Sequence, residues 1–139
     1  MKVIEGGVTA AQGFLAAGLS AGIKKGNTKD MAMLYSKVPC EAAGTFTTNI
    51  VKAAPVKWDQ KIVYESEKAQ AVICNSGIAN ACTGEEGFGC CKETAKAASL
   101  ALNIPEDSVL VASTGVIGQQ IPIEKIKVSV QEHLQQKQL

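Results

Sequence analysis

The stretch AQAVICNSGIANACTGEEGFGCCKETAKAASLALNIPEDSVLVASTGVIG, residues 69–118, decides the fold of this chain. Its first six residues form a short run rich in β-forming side chains, which predicts a buried strand over 69–74. The segment SVLVA predicts a second strand over 108–112. Between the two strands, apolar residues recur at steps of three and four, which predicts a helix with one buried face. The members of this apolar stripe are Phe88, Cys91, Ala95, Ala98 and Leu102.

Residues that begin or stop helices stand at the ends of these elements. Thr83 and Glu86 have the spacing of a capping box, in which a hydroxyl caps the first turn and a carboxylate follows three residues later. Asn103 and Pro105 are expected to end that helix, and Pro122 to open a last one. The apolar face of the last helix carries Ile123, Ile126, Val130 and Leu134. The second half therefore alternates strand and helix, which is typical of an α/β fold.

The first half of the chain is expected to supply strands and few helices. Its glycine-rich start favours extended backbone with turns, because glycine disfavours helix. Met31–Ser36 predicts a strand that Pro39 interrupts. Ala42–Asn49 alternates in the way expected of a second strand with one buried face. Ala54–Ser66 predicts a helix, because Pro55 suits a first helical turn.

Composition and charge exclude several classes of function. The chain has 139 residues, 46% of them hydrophobic and 19% charged, and we expect a single domain over 1–139. All 14 basic residues are lysine and the formal net charge is +1, so we expect no binding to nucleic acid or to a membrane surface. The sequence contains neither a recognisable secretory signal nor an apolar stretch long enough to span a bilayer. We therefore expect a cytoplasmic protein.

No cofactor or metal site is predicted. The five cysteines lack the spacing of a zinc site and are expected to be free, mainly structural thiols. The only histidine, His133, lies far along the chain on a predicted helix, so no cysteine–histidine catalytic pair is expected. The glycine-rich segment GEEGFGCCK at 84–92 matches neither a P-loop nor a dinucleotide-binding fingerprint.

Two polar segments follow the predicted strands, and each is expected to form a turn. These segments are Asn75-Ser76-Gly77 and Ser113-Thr114-Gly115. A Thr-Gly pair at such a place can present a hydroxyl and a backbone N–H to one point, which is the chemistry of an oxyanion hole. Thr114 and Gly115 are therefore the candidate catalytic residues. The alternative from chemistry alone is an ordinary turn whose hydroxyl satisfies its own backbone.

Seven short motifs, in order along the chain, resemble the ornithine acetyltransferase family, the glutamate N-acetyltransferases of arginine biosynthesis. They are GGVTA at 6–10, GFLAAG at 13–18, AAGTFTTN at 42–49, VKAAP at 51–55, NSG at 75–77, ANACTG at 79–84 and ASTGVIG at 112–118. No single motif is decisive, but their order is specific, and the resemblance extends from about Val3 to Ile126.

The resemblance implies a fold of mixed sheets with helices packed outside, an αββα-like arrangement shared with DmpA-like proteins and incomplete in this chain. It implies a precursor that cleaves itself into α and β chains and assembles as an α2β2 heterotetramer. The N-terminal threonine of the β chain would then carry the acetyl group from N-acetylornithine to glutamate in a ping-pong reaction. No metal or organic cofactor is implied, and acetyl-CoA is a candidate co-substrate. Thr114 and Gly115 inherit the role of the oxyanion hole.

The sequence also departs from the family pattern. Ile78 stands where the family usually has asparagine, and Ile121-Pro122-Ile123 where Leu-Pro-Met is common. The family's later α-chain segment and its cleavage site have no counterpart here, so we expect the isolated chain to be inactive. The alternative to an enzyme part is a non-catalytic domain that serves assembly or binds a small molecule.

Overall fold

The computed structural model describes residues 3–66 and 68–135, with the last three of these described by their backbone alone. Four strands, three helices and two short 3-10 turns follow one another within these ranges. In chain order they are a 3-10 turn Val8–Ala10, β1 Phe14–Leu19, β2 Met31–Glu41, α1 Ala54–Glu65, β3 Lys68–Ile78, α2 Gly84–Leu102, a 3-10 turn Glu106–Ser108, β4 Val109–Val116 and α3 Ile123–Gln135.

The strands form one mixed sheet in the order β1-β2-β3-β4. The first two pairs are antiparallel, and β3 and β4 are parallel because α2 carries the chain back between them. The second half of the chain alternates strand and helix, as predicted from the sequence. The predicted α/β fold is therefore confirmed. Asn103 ends α2 in the left-handed conformation with φ 55°, as expected for a residue that stops a helix.

The core lies on one face of the sheet, where alternate residues of each strand meet the helices. Met33, Ile73 and Val111 are at most 5% exposed on that face. The predicted stripe of α2 is confirmed at its centre, where Cys91, Ala95 and Ala98 are completely buried. In α3, Ile126 and Val130 are buried as predicted, whereas the side chain of Leu134 lies outside those that the structure describes.

Helix α1 covers the outer edge of β4. The indole Nε1–H of Trp58 donates to the carbonyl of Val109 at 2.9 Å, and the N–H of Val111 donates to Oδ1 of Asp59 at the same distance. These groups would otherwise be the unpaired donor and acceptor of an edge strand. Trp58 and Asp59 of α1 thus form hydrogen bonds with backbone groups of β4 that a fifth strand would otherwise bind.

Three predicted boundaries were wrong, because the strands continue through residues with turn chemistry. β3 runs to Ile78 and β4 to Val116, so both polar segments form the ends of strands rather than turns. β2 passes Pro39 and reaches Glu41, with a shift in register between Tyr35 and Cys40. Proline is tolerated there because it lies where the ladder is already irregular.

The prediction of a strand over Ala42–Asn49 was also wrong. These residues form an irregular, mostly exposed loop. The N–H groups of Asn49 and Val51 donate to Oγ1 of Thr47 and Oδ1 of Asn49, at 3.2 and 2.9 Å. Such local side-chain bonds compete with a strand ladder. Phe46 anchors the loop through an edge-on contact with Tyr64, at 5.6 Å between ring centroids.

The five cysteines are free, and Cys90 and Cys91 are buried in the core. Within residues 3–66 and 68–135, no helix has the length and apolar character that crossing a bilayer requires.

The carboxyl of Asp59 makes the stability of the fold depend on pH. Burial raises its pKa to about 6, against the opposing hydrogen bond from Val111. Since the folded pKa exceeds the ordinary value of 3.8, the folded chain holds a proton that the unfolded chain releases between about pH 4 and pH 6. The contribution of this group to stability therefore falls as the pH rises through that window.

We expect Asp59→Asn to remove this slope, because the amide keeps an oxygen acceptor for Val111 and carries no charge. At about pH 7 the variant should be more stable than the wild type by about 1 kcal/mol, a figure reduced for the partial exposure of the carboxyl. The measurement is urea unfolding of both proteins across this pH range, followed by circular dichroism. Parallel pH profiles of the two proteins would contradict the prediction.

Candidate functional site

The candidate site lies where β3 and β4 end side by side. The parallel register pairs Asn75 with Ser113, Ser76 with Thr114 and Gly77 with Gly115. The two polar segments singled out in the sequence are therefore neighbours in space. Their side chains alternate between the two faces of the sheet, so each segment serves the core and the outer surface at once.

Gly77 and Gly115 allow the two backbones to approach each other closely. Gly115 has φ +131°, a conformation that side chains rarely adopt. A Cβ at Gly115 would overlap the carbonyl of Gly77 and lie 2.7 Å from the nitrogen of Ile78. Glycine is thus required at position 115 for two reasons: the positive φ, and the lack of room for a Cβ atom.

On the core face, the polar groups of the site bind backbone. The hydroxyl of Ser113 accepts the N–H of Asn80 at 2.9 Å and donates to the carbonyl of Ile78 at 3.2 Å. The amide of Asn75 donates to the same carbonyl at 2.8 Å. The hydroxyl of Ser113 is therefore satisfied by backbone groups beyond the end of β3 rather than by its own backbone.

Thr114 behaves differently. Thr114 is exposed, and within the described ranges 3–66 and 68–135 its hydroxyl has no hydrogen-bond partner. It lines a surface cavity of about 320 Å³ together with Ser76, Cys74 and Lys29. The hydroxyl of Ser76 is already engaged with the carbonyl of Asp30 at 3.5 Å. Of the two hydroxyl groups that line this cavity, that of Thr114 is thus free among the described residues.

Asn80 ties the site to the start of α2. Its Nδ2 donates to the carbonyl of Gly87 at 2.7 Å, and Thr83 Oγ1 donates to its Oδ1 at 2.6 Å. The predicted capping box is therefore wrong, because the hydroxyl of Thr83 points to Asn80 rather than to the helix N–H groups. A Cβ at Gly87 would overlap this pair, so glycine is needed there as well. No structural role was predicted from the sequence for Asn80 or Gly87.

Asp30 is a third residue whose role was not predicted from the sequence. Its carboxylate is 2% exposed and accepts the N–H groups of Ala21, Ile23 and Lys24 at 2.6 to 2.8 Å. Burial alone would raise its pKa, but these hydrogen bonds hold it below its ordinary value. The backbone carbonyl of Asp30 accepts the N–H of Ser76 at 2.8 Å, so the residue joins the loop before β2 to the site. A single aspartate that follows lysine residues has no pattern from which this role could be predicted.

The described residues offer donors for a negative charge but no activated nucleophile. Burial raises the pKa of the thiols of Cys74 and Cys90, and raises that of Cys91 to about 12. A buried thiol of this kind is inert. Among residues 3–66 and 68–135, no group of three or more His, Cys, Asp or Glu side chains is placed to hold a metal ion. The side chain of His133, the one histidine of the sequence, lies outside those that the structure describes.

We expect Gly115→Ala to destabilise the fold by at least about 3 kcal/mol, because the new Cβ has both an unfavourable φ and a backbone clash. Gly118→Ala is the matched control, since Gly118 also has a positive φ of +77° but open space around it. Its cost should be about 1 kcal/mol. The two values come from urea unfolding monitored by circular dichroism. Equal losses in the two variants would contradict the close approach.

Comparison with known proteins gives a consistent set of relatives. A sequence profile described as the ArgJ family matches residues 15–138. A protein of Gloeobacter violaceus named arginine biosynthesis bifunctional protein ArgJ is 50% identical over 128 residues, which is 92% of this chain and 32% of the relative. A protein of the same name from Thermotoga neapolitana is 48% identical over 122 residues, 87% of this chain and 30% of the relative. The chain thus spans about a third of the length of these relatives.

Solved structures of relatives share the fold. Ornithine acetyltransferase from Mycobacterium tuberculosis, solved in complex with ornithine, has a TM-score of 0.87 and 44% identity, over 93% of this chain and 69% of that one. The ArgJ protein of Bacillus halodurans has a TM-score of 0.86 and 40% identity, over 91% of this chain and 66% of that one. Because the family profile covers most of the sequence and the solved relatives share its fold, this chain belongs to the ArgJ family, the ornithine acetyltransferases that its motifs resemble.

Proposed function

We propose that this chain supplies the oxyanion hole of an acetyltransferase that moves the acetyl group of N-acetylornithine to glutamate. Thr114 would donate its hydroxyl and Gly115 its backbone N–H to the oxygen that becomes negative in the tetrahedral intermediate. The observation that carries the proposal is the hydroxyl of Thr114, exposed and without a partner among the described residues, at the end of a rigid strand. The relatives named above support the reaction class.

The rigidity of the site supports the proposal because an oxyanion hole must be formed before the reaction begins. Thr114 is held by strand pairing on the β3 side, and its neighbour Ser113 is fixed by two hydrogen bonds. Gly115 cannot slide relative to Gly77 without separating the two backbones. A donor on such a strand end loses little freedom when it binds a negative oxygen, so its interaction energy goes mainly into the transition state.

The nucleophile of the proposed reaction comes from polypeptide other than this chain. The resemblance assigns it to the N-terminal threonine of a β chain, which is released by self-cleavage of the precursor. The threonine hydroxyl attacks the acetyl carbonyl, and its proton passes to the neighbouring α-amino group. Ornithine leaves from the tetrahedral intermediate with the proton that the α-ammonium group returns to its nitrogen. The amine of glutamate then attacks the resulting acetyl ester and gives up a proton through the same α-amino group, so that N-acetylglutamate leaves and the threonine hydroxyl is restored. The oxyanion hole acts in both half-reactions, because each passes through a tetrahedral intermediate.

The same proposal includes the surroundings of the reaction. Residues 1–139 would form one domain, joined with the β chain in an α2β2 heterotetramer in the cytoplasm. Its substrates are small molecules, and the proposed mechanism uses neither a metal nor an organic cofactor, with acetyl-CoA as a candidate alternative donor. The isolated chain should be inactive, because the proposed nucleophile is not part of it.

We expect Thr114→Ala, in an acetyltransferase completed by the polypeptide that this chain lacks, to lower kcat about 100-fold or more with a smaller change in KM. Thr114→Ser keeps the hydroxyl and should recover most of the loss. Thr48→Ala removes an exposed threonine of the loop and should leave the rates unchanged. The measurement is steady-state transfer of acetyl from N-acetylornithine to glutamate. A near-normal kcat for Thr114→Ala would remove Thr114 from the mechanism.

A further inference from the structure

We propose that one internal water molecule is bound behind the strand ends of the site, between Asn75 of β3 and Thr94 of α2. A cavity on the core face of the sheet leaves about 10 Å³ open to the centre of a water molecule. By that measure one water molecule needs about 10 to 15 Å³. Four of the residues that line the cavity are polar, namely Asn75, Asn80, Thr94 and Ser113.

The side-chain amide of Asn75 is the reason to expect a polar occupant. Its Nδ2 donates to the carbonyl of Ile78 at 2.8 Å, which fixes the orientation of the amide and directs Oδ1 away from that carbonyl. Among the described residues Oδ1 has no hydrogen-bond partner, although Asn75 is only 7% exposed. Buried polar atoms in folded proteins nearly always have a partner, either protein or ordered water. A water molecule in the cavity can donate to this oxygen.

Thr94 supplies the second partner from α2. It is 3% exposed, and its hydroxyl donates to the carbonyl of Cys90 at 2.8 Å, one turn earlier in the helix. The hydroxyl oxygen can still accept a hydrogen bond. The hydroxyl of Ser113, in contrast, already accepts from one backbone group and donates to another. The two protons of the water are therefore directed to Oδ1 of Asn75 and to Oγ1 of Thr94.

Apolar side chains enclose the rest of the cavity. Ile121 precedes α3 and Ile126 lies within it, and both are at most 6% exposed. From the sheet, Ile73 and Val111 line the cavity and are at most 5% exposed. A water molecule in this position exchanges with bulk solvent only when the surrounding elements open, so it stays bound far longer than a surface water.

The water adds a second connection between the strand ends and α2. Asn80 already joins the end of β4 to the first turn of this helix. Thr94 lies near the middle of the same helix, Gly84–Leu102. Asn75 and Ser113 both donate to the carbonyl of Ile78, so a water bound to Asn75 is linked to the ends of β3 and β4 together. Hydrogen bonds thus hold the helix to the base of the site at two separate places.

The test counts long-lived internal water in solutions of this chain by oxygen-17 magnetic relaxation dispersion, which does not respond to exchange of hydroxyl protons. We expect Thr94→Val, which keeps the branched shape and removes the acceptor, to hold one long-lived water fewer than the wild type. Thr94→Ser keeps the hydroxyl and should keep the water. Thr48→Val is the matched control, because it removes the same hydroxyl from an exposed loop residue, and its water count should equal that of the wild type.

Urea unfolding separates a hydrated cavity from a dry one by the direction of the change. If the water is present, Thr94→Val leaves Oδ1 of Asn75 buried without a partner, so its unfolding midpoint should fall below that of the wild type. In a dry cavity the added methyl group would fill space and raise the midpoint. An unchanged water count in Thr94→Val, or a midpoint equal to or above that of the wild type, would overturn the proposal.

The wild type provides an independent measurement that needs no variant. The methyl groups of Ile73 and Ile126 line the cavity and should give cross-peaks with a long-lived water in a nuclear Overhauser spectrum. Absence of these cross-peaks would overturn the water site. Both measurements use the chain as it stands and do not depend on the proposed acetyl transfer.

Discussion

The close approach of Gly77 to Gly115 is the constraint on which the site depends. It keeps β3 and β4 paired to their last residues, so the side chains before Gly115 alternate strictly between the two faces of the sheet. Ser113 falls on the core face, where both of its hydrogen bonds go to backbone. Thr114 falls on the outer face, where its hydroxyl is left without a partner among the described residues. The pairing of Gly77 with Gly115 thus places two adjacent hydroxyl groups on opposite faces of the sheet, one bound to backbone and one exposed.

The polar groups behind the site have a structural role that the exposed ones lack. Asn80 joins the end of β4 to the first turn of α2, and Asp30 joins the loop of residues 21–24 to β3. Each is at most 3% exposed and makes several hydrogen bonds. Loss of either would leave buried donors or acceptors unpaired, which costs more than the bond itself contributes. The exposed Thr114 can therefore face a ligand without having to hold the fold.

Periodicity was sufficient to predict α2 and α3. The catalytic roles of Thr114 and Gly115 stay predictions. Turns were predicted at residues 75–77 and 113–115, because Asn, Ser and Gly favour turns when no neighbouring strand is considered. Strand pairing overrode that preference, since each segment lies beside the other. Long-range partners of this kind are invisible in a local pattern. Asp30 and Asn80 were missed for the same reason: their partners are set by the tertiary fold, and one polar residue has no periodicity.

The cover that α1 provides for β4 has a consequence for the synthesis of the chain. Trp58 and Asp59 are made 51 and 52 residues before the backbone groups they bind, Val109 and Val111. Until β4 leaves the ribosome, β3 has an open edge and the indole and carboxylate have no partner in β4. A nascent chain of this length exposes the features that promote aggregation, an unpaired strand edge and the apolar faces of two helices. The arrival of β4 closes that edge and satisfies α1 in the same step, so both features disappear together when residues 109–116 emerge.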